Sequence, residues 1–294
     1  MKQQIDRLCG IINERLCKLI PAGNKLTDEV SQAAVYSLSG GGKRLRPILM
    51  MKFYEMCGGR ETDKLTDIFC TIELVHTFSL IHDDLPCMDN DDYRRGRLSC
   101  HKAYPEAIAL LAGDALSVLP FEIIADSAEK GVISYETAVR ATQVLSKAIG
   151  IEGMIGGQVI DMLSENSDIS EEILAELQRK KTGALISAAC EMGCILANAD
   201  EEKIILARKY ADKLGLAFQI RDDILDVTGT FEELGKPVGS DKEQKKSTYV
   251  TLLGLEKAEQ LCRELSQQAA DILTGFNNSE FLVELTKALT DRRK

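Results

Sequence analysis

Tryptophan is absent from this 294-residue chain, aromatics reach only 5%, and there are just six prolines and three histidines. The core must therefore be aliphatic, and with 45% hydrophobic residues it is large enough to be stable by itself. Proline is confined to positions 21, 47, 86, 105, 120 and 237. The long stretches between are dominated by Ala, Leu, Glu, Lys and Ile, which favours helix. Nine cysteines occur without a CxxC pair. Such a scattered, odd-numbered set reads as reduced thiols in an intracellular compartment, not a disulfide framework, and no histidine stands at zinc spacing from them. Basic residues are in deficit, and a net charge of −10 argues against nucleic acid as a partner. No apolar run reaches the roughly 18 residues of a membrane span. Internal repeats, low-complexity tracts and a clear domain boundary are also missing. The opening MKQQIDRLCGIINERLCKLI carries charges through its apolar positions and reads as an amphipathic helix, not a signal peptide. The expectation is a soluble, cytoplasmic, helical chain forming one domain over residues 1–294.

What the chain does have is acid, concentrated twice. Asp83, Asp84, Asp89, Asp91 and Asp92 lie within ten residues, directly after an apolar run, and Arg94 and Arg95 follow at once. Carboxylates crowded at the end of an apolar helix are costly unless a cation neutralises them. Hard divalent ions such as Mg²⁺ take oxygen ligands through a few carboxylates plus substrate phosphates, and arginine forks suit phosphate oxygens. A lone Asp-Asp pair would more often be solvated decoration. The second cluster, Asp222-Asp223-Ile224-Leu225-Asp226, shifts that balance. At about 100° per residue, Asp222 and Asp226 fall about 40° apart and one turn along, so both can reach one ion. In the first cluster a straight helix would set Asp83 and Asp89 about 120° apart. Pro86 lies between them and can break the helix, letting Asp89 swing back on a loop.

Around these clusters lie further candidates. Ser39-Gly40-Gly41-Gly42-Lys43-Arg44-Leu45-Arg46-Pro47 sets three cations before an apolar helix, a natural anion-binding start, although such loops are often only turns. It lacks the nucleotide P-loop pattern. Residues 64–84 read as a buried helix, apolar nearly all round. His76 lies seven residues before Asp83 on the same side, while His82 reads as a hydrogen-bonded core residue. Further helices are expected over about 104–128, 134–150, to about 197 from Lys180-Lys181-Thr182-Gly183-Ala184, 248–274 and 279–292. Gln158 and Asp161 share one helix face. Residues 228–247, with three glycines, a proline and many charges, read as a mobile lid loop that would exclude water on closing. The basic end Asp291-Arg292-Arg293-Lys294 reads as a frayed tail.

The pair DDLPCMD and DDILD resembles the two aspartate-rich motifs of trans-isoprenyl diphosphate synthases, most closely the bacterial farnesyl diphosphate branch, and GGKRLRP matches in order. The resemblance covers almost the whole chain. It implies the all-α isoprenoid synthase fold, a single-domain bundle of long helices around a central cavity. It implies a Mg²⁺-dependent homodimeric prenyltransferase that joins isopentenyl diphosphate to dimethylallyl and geranyl diphosphate, yielding farnesyl diphosphate. By the same resemblance Asp83, Asp84 and Asp89 hold two Mg²⁺ ions, and Asp222 with Asp226 a third. Lys43, Arg46, His76 and Arg95 bind isopentenyl diphosphate, with Arg44 open. Arg94, Lys181, Thr182, Gln219, Lys236 and Lys246 serve the allylic diphosphate. Phe78, with Ser79 after it, forms the floor that sets chain length, although an apolar Phe in such a helix is core by default. A geranylgeranyl diphosphate synthase would share nearly all of these residues. A terpene cyclase would need neither GGKRLRP nor His76, and a regulatory subunit would show eroded clusters.

Overall fold

A computed structural model describes residues 1–165, 167, 169–228 and 247–290. Lys236, Lys246, nearly all of the expected lid loop and the basic tail lie outside the described residues.

The fold is all-α. In chain order the helices are α1 (Lys2–Lys18), α2 (Asp28–Leu38), α3 (Leu45–Met56), α4 (Thr62–Asp83), α5 (Cys100–Ala103), α6 (Glu106–Glu129), α7 (Tyr135–Ile149), α8 (Met154–Ser164), α9 (Glu171–Gln178), α10 (Ala184–Leu196), α11 (Glu201–Thr228), α12 (Tyr249–Leu253), α13 (Leu255–Ile272) and α14 (Glu280–Thr290). A π-helical turn, Arg179–Gly183, joins α9 to α10. The strands among the described residues are β1 (Tyr93–Arg94) and β2 (Arg97–Leu98), an antiparallel pair with Arg94 opposite Arg97. The helices group into two compact units, whose boundaries pass through α3 and α7.

The first unit comprises Lys2–Met51 and Gly59–Thr142. Its axis is α4, which packs along α6 and is covered further by α1 and α2. Apolar residues occupy every side of α4, so amphipathicity is weak and burial extensive; Ile68, Phe69, Ile72, Leu74 and Val75 are fully enclosed. Each such side chain contributes about 1.5–3 kcal/mol relative to exposure. Asp84 caps the helix, and Pro86 two residues later forbids its continuation. No uninterrupted apolar run reaches a membrane span, but α6 meets the requirement by length and average composition. Among the described residues it alone is long and apolar enough to cross a membrane. Asp114 and Glu122 interrupt the apolar run and hide it from a search for continuous stretches.

The second unit comprises Met1, Lys52–Gly58 and Gln143–Lys294. Here α11 packs on α10 and α13. A core of Leu174, Ala217, Ile220, Ile224, Tyr249, Ala258, Cys262 and Leu265 joins α9, α11, α12 and α13. The expected helix over 248–274 is two helices, because Gly254 adopts φ +83° and ends α12. Thr248 and Thr251 form a reciprocal capping box at the start of α12.

Candidate active site

In the first unit the end of α4 turns back on itself as the proline suggested. The Asp89 amide donates to the Asp83 carbonyl at 2.9 Å, and the Asn90 amide to that of Leu85 at 3.1 Å. Asn90 takes a left-handed backbone, φ 52°. The loop thus returns Asp89 to the end of the helix that carries Asp83. Asp84 is 2% exposed and bound by Arg94, whose Nε lies 2.9 and 3.2 Å from the two carboxylate oxygens while Nη2 also contacts Oδ1. Burial pushes the Asp84 carboxyl above the ordinary carboxylate range, against the pull of Arg94. Asp91 lies 3.6 Å from the Arg94 guanidinium, and Asp92 pairs with Lys102 at 2.8 Å.

Arg94 and Arg95 stand where they do because of a two-residue hairpin. Arg95 and Gly96 are its turn, both left-handed, φ 54° and 77°, the conformation such tight hairpins need. The Arg95 guanidinium donates to the Gly41 carbonyl and lies against Gly42, where a Cβ would come within 2.7 Å of it. The backbone there, φ 130°, is one that a side chain would strain whatever the space. The signal for the hairpin is weak in sequence, since Arg-Gly lacks the usual Asn or Asp at the first turn position.

The cationic loop and α4 then share one neighbourhood. His76 is partly buried; burial first, then the charges of Arg46, Arg95, Arg44 and Arg94, hold its imidazole well below the ordinary histidine range. It is therefore neutral near pH 7. Burial likewise lowers Arg46, whose Nε is enclosed and has no hydrogen-bond partner among the described residues. A buried guanidinium N–H without an acceptor, among other arginines, calls for an anion. Lys43 is exposed at the mouth of the loop. Arg44 points inward, onto Glu73 at 2.8 Å.

His82 is structural. Its ring fills the notch left by Gly113 on α6, where a Cβ would lie 2.2 Å from Nε2, and it meets the Leu110 carbonyl at 3.1 Å. Phe78 is 7% exposed and stacks edge-to-face on that ring at 5.7 Å. Ser79 donates to the His76 carbonyl at 2.9 Å.

In the second unit the π-turn presents Lys181 and Thr182. Lys181 pairs with Asp161 of α8 at 2.5 Å. Gly157 makes that approach possible, because a Cβ there would fall 2.2 Å from the Lys181 backbone nitrogen. Single π-turns recur at functional positions, and no residue type announces one in advance. On α11, Gln219 and Asp222 are partly buried and Asp226 is 3% exposed. Asp223 has a different task, absent from the sequence reading: its carboxylate accepts the Tyr249 amide at 2.8 Å, anchoring the start of α12. Its angular offset of about 100° from Asp222 is the signal that could have separated them.

Among the described residues no three His, Cys, Asp or Glu side chains form a ready-made metal cage.

Comparison with known proteins gives concordant findings. A family profile described as polyprenyl synthetase matches residues 27–280. Farnesyl diphosphate synthase of Bacillus subtilis is 39% identical over 292 residues, 99% of this chain and 95% of that protein. Geranylgeranyl pyrophosphate synthase 3, chloroplastic, of Arabidopsis thaliana is 44% identical over 282 residues, 95% and 77% respectively. The crystal structure of an FPP/GFPP synthase from Zymomonas mobilis superposes with a TM-score of 0.87 at 33% identity, covering 98% of each chain.

Proposed function

The chain belongs to the polyprenyl synthetase family and is a prenyltransferase, and from that premise we propose that it joins isopentenyl diphosphate to dimethylallyl and then geranyl diphosphate, giving (2E,6E)-farnesyl diphosphate. The observation that carries the reading is the enclosed, acceptor-less Nε of Arg46 beside Arg95 and a neutral His76, in a chain of net charge −10. Such a chain would repel a diphosphate unless cations were gathered for it. The family match spans both compact units, which supports treating residues 1–294 as one synthase domain with an isoprenoid synthase cavity.

In the first unit Lys43, Arg46, His76 and Arg95 hold the diphosphate of isopentenyl diphosphate. A neutral His76 offers a hydrogen bond and leaves the charge to the arginines. Asp83, Asp84 and Asp89 supply the oxygen ligands for Mg²⁺, and in the second unit Asp222 and Asp226 do the same, three ions in all. When bound, Mg²⁺ neutralises charge on the departing allylic diphosphate. Arg94, Lys181, Thr182 and Gln219 orient that group and stabilise the charge developing on it. None of the chain's side chains is assigned the final proton, which goes to the departing diphosphate. Phe78, with Ser79 beside it, limits product length.

A geranylgeranyl product is the second reading, favoured by relatives with that name at 44% identity. We place the protein in the cytoplasm as a homodimer. The apolar Leu111 and Val118 on α6, 50% and 63% exposed, support a second copy covering that face. Incubation with Mg²⁺, isopentenyl diphosphate and dimethylallyl, geranyl or farnesyl diphosphate, followed by product sizing, tests the reading. Farnesyl diphosphate as the end product is expected. Twenty-carbon product would favour the second reading, and no IPP-dependent elongation would refute both.

A further inference from the structure

The residue between the two proposed diphosphate ligands of the glycine loop faces the other way. Arg44 is 2% exposed and all three of its nitrogen positions are satisfied by the protein. Nη1 donates to Glu73 Oε1 at 2.8 Å, Nε to Asn13 Oδ1 at 2.7 Å, and Nη2 to the Leu38 carbonyl at 2.5 Å. These acceptors come from three different helices. Asn13 is on α1, Leu38 is the last residue of α2, and Glu73 lies on α4 three residues before His76. Arg44 is also left-handed, φ 46°, a conformation that a long side chain adopts at a cost and keeps only where its surroundings impose it. So occupied and so enclosed, its guanidinium is not presented to a substrate.

We propose that Arg44 is a positioning residue for the homoallylic substrate: its buried pair with Glu73, braced by Asn13, holds the loop bearing Lys43 and Arg46 in register with His76. This rests on the function proposed above and deepens it by dividing the three cations of the loop into two that meet diphosphate and one that aims them. Buried ion pairs are weak sources of net stability, so what this one contributes is the conformation it specifies. The twist at Arg44 turns the side chain inward. Lys43 on one side and Arg46 at the start of α3 on the other are then carried by a backbone that cannot rotate freely. Asn13 extends the brace to α1, giving that helix a share in substrate affinity although it carries no proposed ligand.

The test is steady-state kinetics with each diphosphate varied in turn, on wild type and three variants. Glu73→Gln breaks the pair. Arg44→Met/Glu73→Leu removes both partners at once, so neither of the two is left as an unpaired buried charge, and its folding is checked by its melting temperature before the assay. Asn13→Ala removes only the exposed brace. The expected result for the first two is a rise of about tenfold or more in KM for isopentenyl diphosphate, with KM for the allylic substrate within about twofold. For Asn13→Ala the same KM should rise about two- to threefold, with an unchanged melting temperature. A purely structural role would lower the melting temperature and leave the ratio of the two KM values alone. A wild-type KM for isopentenyl diphosphate in the folded double variant or in Asn13→Ala would overturn the proposal. If wild type itself showed no saturable turnover of isopentenyl diphosphate, the proposed function would fall, and this inference with it.

Discussion

Arg94 grips Asp84 through both its Nε and Nη2, so one of the proposed metal-binding carboxylates is already neutralised by a side chain proposed to serve the substrate. The pair resolves an electrostatic problem, since Asp84 is buried and two further aspartates, Asp91 and Asp89, raise its proton affinity. It also couples two duties, because a diphosphate would compete for the Nε and Nη2 donors that hold Asp84 and could exchange one partner for the other. Removing Arg94 should therefore hurt the metal-free protein most. Arg94→Gln leaves Asp84 without its partner, a loss of roughly 1–3 kcal/mol, or several degrees of melting temperature at about 2–4 °C per kcal/mol. Differential scanning fluorimetry should show the deficit shrinking when Mg²⁺ and inorganic pyrophosphate are added together. A deficit indifferent to both would contradict the exchange.

Asp83 sits at the end of α4, where the loop returns Asp89 to it. Asp83→Ala should lower kcat by roughly 10²–10³ at saturating Mg²⁺, the scale of losing one oriented charge stabiliser. Turnover near wild type would remove Asp83 from the proposed role.

Phe78 is buried against His82 on α4, five residues before Asp83. Phe78→Ala should extend the product beyond fifteen carbons, read by chromatography of radiolabelled product. An unchanged length distribution would return Phe78 to the ordinary core.

The depressed His76 predicts a pH effect on stability. Its folded pKa lies below the ordinary 6.5, so below about pH 6.5 the unfolded chain binds more protons than the folded one. Stability is therefore fully present above that pH and falls as the pH drops through it. Between pH 7.5 and 5.5 the melting temperature of wild type should fall more steeply than that of His76→Gln. Parallel slopes would exclude the effect.

Thiol reactivity should follow burial. Cys87 is exposed, and a hydrogen bond with Cys194 at 3.6 Å, opposed by burial, keeps the Cys57 thiol below its ordinary range. Burial pushes the Cys70 and Cys190 thiols up. Timed iodoacetamide labelling with peptide mass spectrometry should find Cys87 and Cys57 first, and Cys70 and Cys190 silent until unfolding. Early labelling of Cys190 would mean the core opens more readily than its packing implies.

Much of this was legible in the residues. The all-round apolarity of 64–84 marks α4 to within two residues at each end, and Pro86 marks the turn that brings Asp89 back. The spacing of Asp222 and Asp226 places them on one helix face. Other features turn on long-range geometry that local patterns do not carry. Asp223 looks equivalent to its neighbours until its Tyr249 partner, 26 residues on, is in place. The π-turn lies close against Gly157 of α8, and Arg95 of the hairpin meets an acceptor in the glycine loop, contacts between residues far apart in sequence. Gly254 was visible as a residue but not as a break, since its neighbours keep helical spacing on both sides.

Position 157 has room for a hydrogen atom and nothing larger. Alanine there would wedge α8 away from the backbone at Lys181, dragging Lys181 and Thr182 out of place without touching either. Variation at this residue, natural or directed, is thus screened by shape before polarity or charge has any say, and a saturation library selected for activity should return only the residue already present.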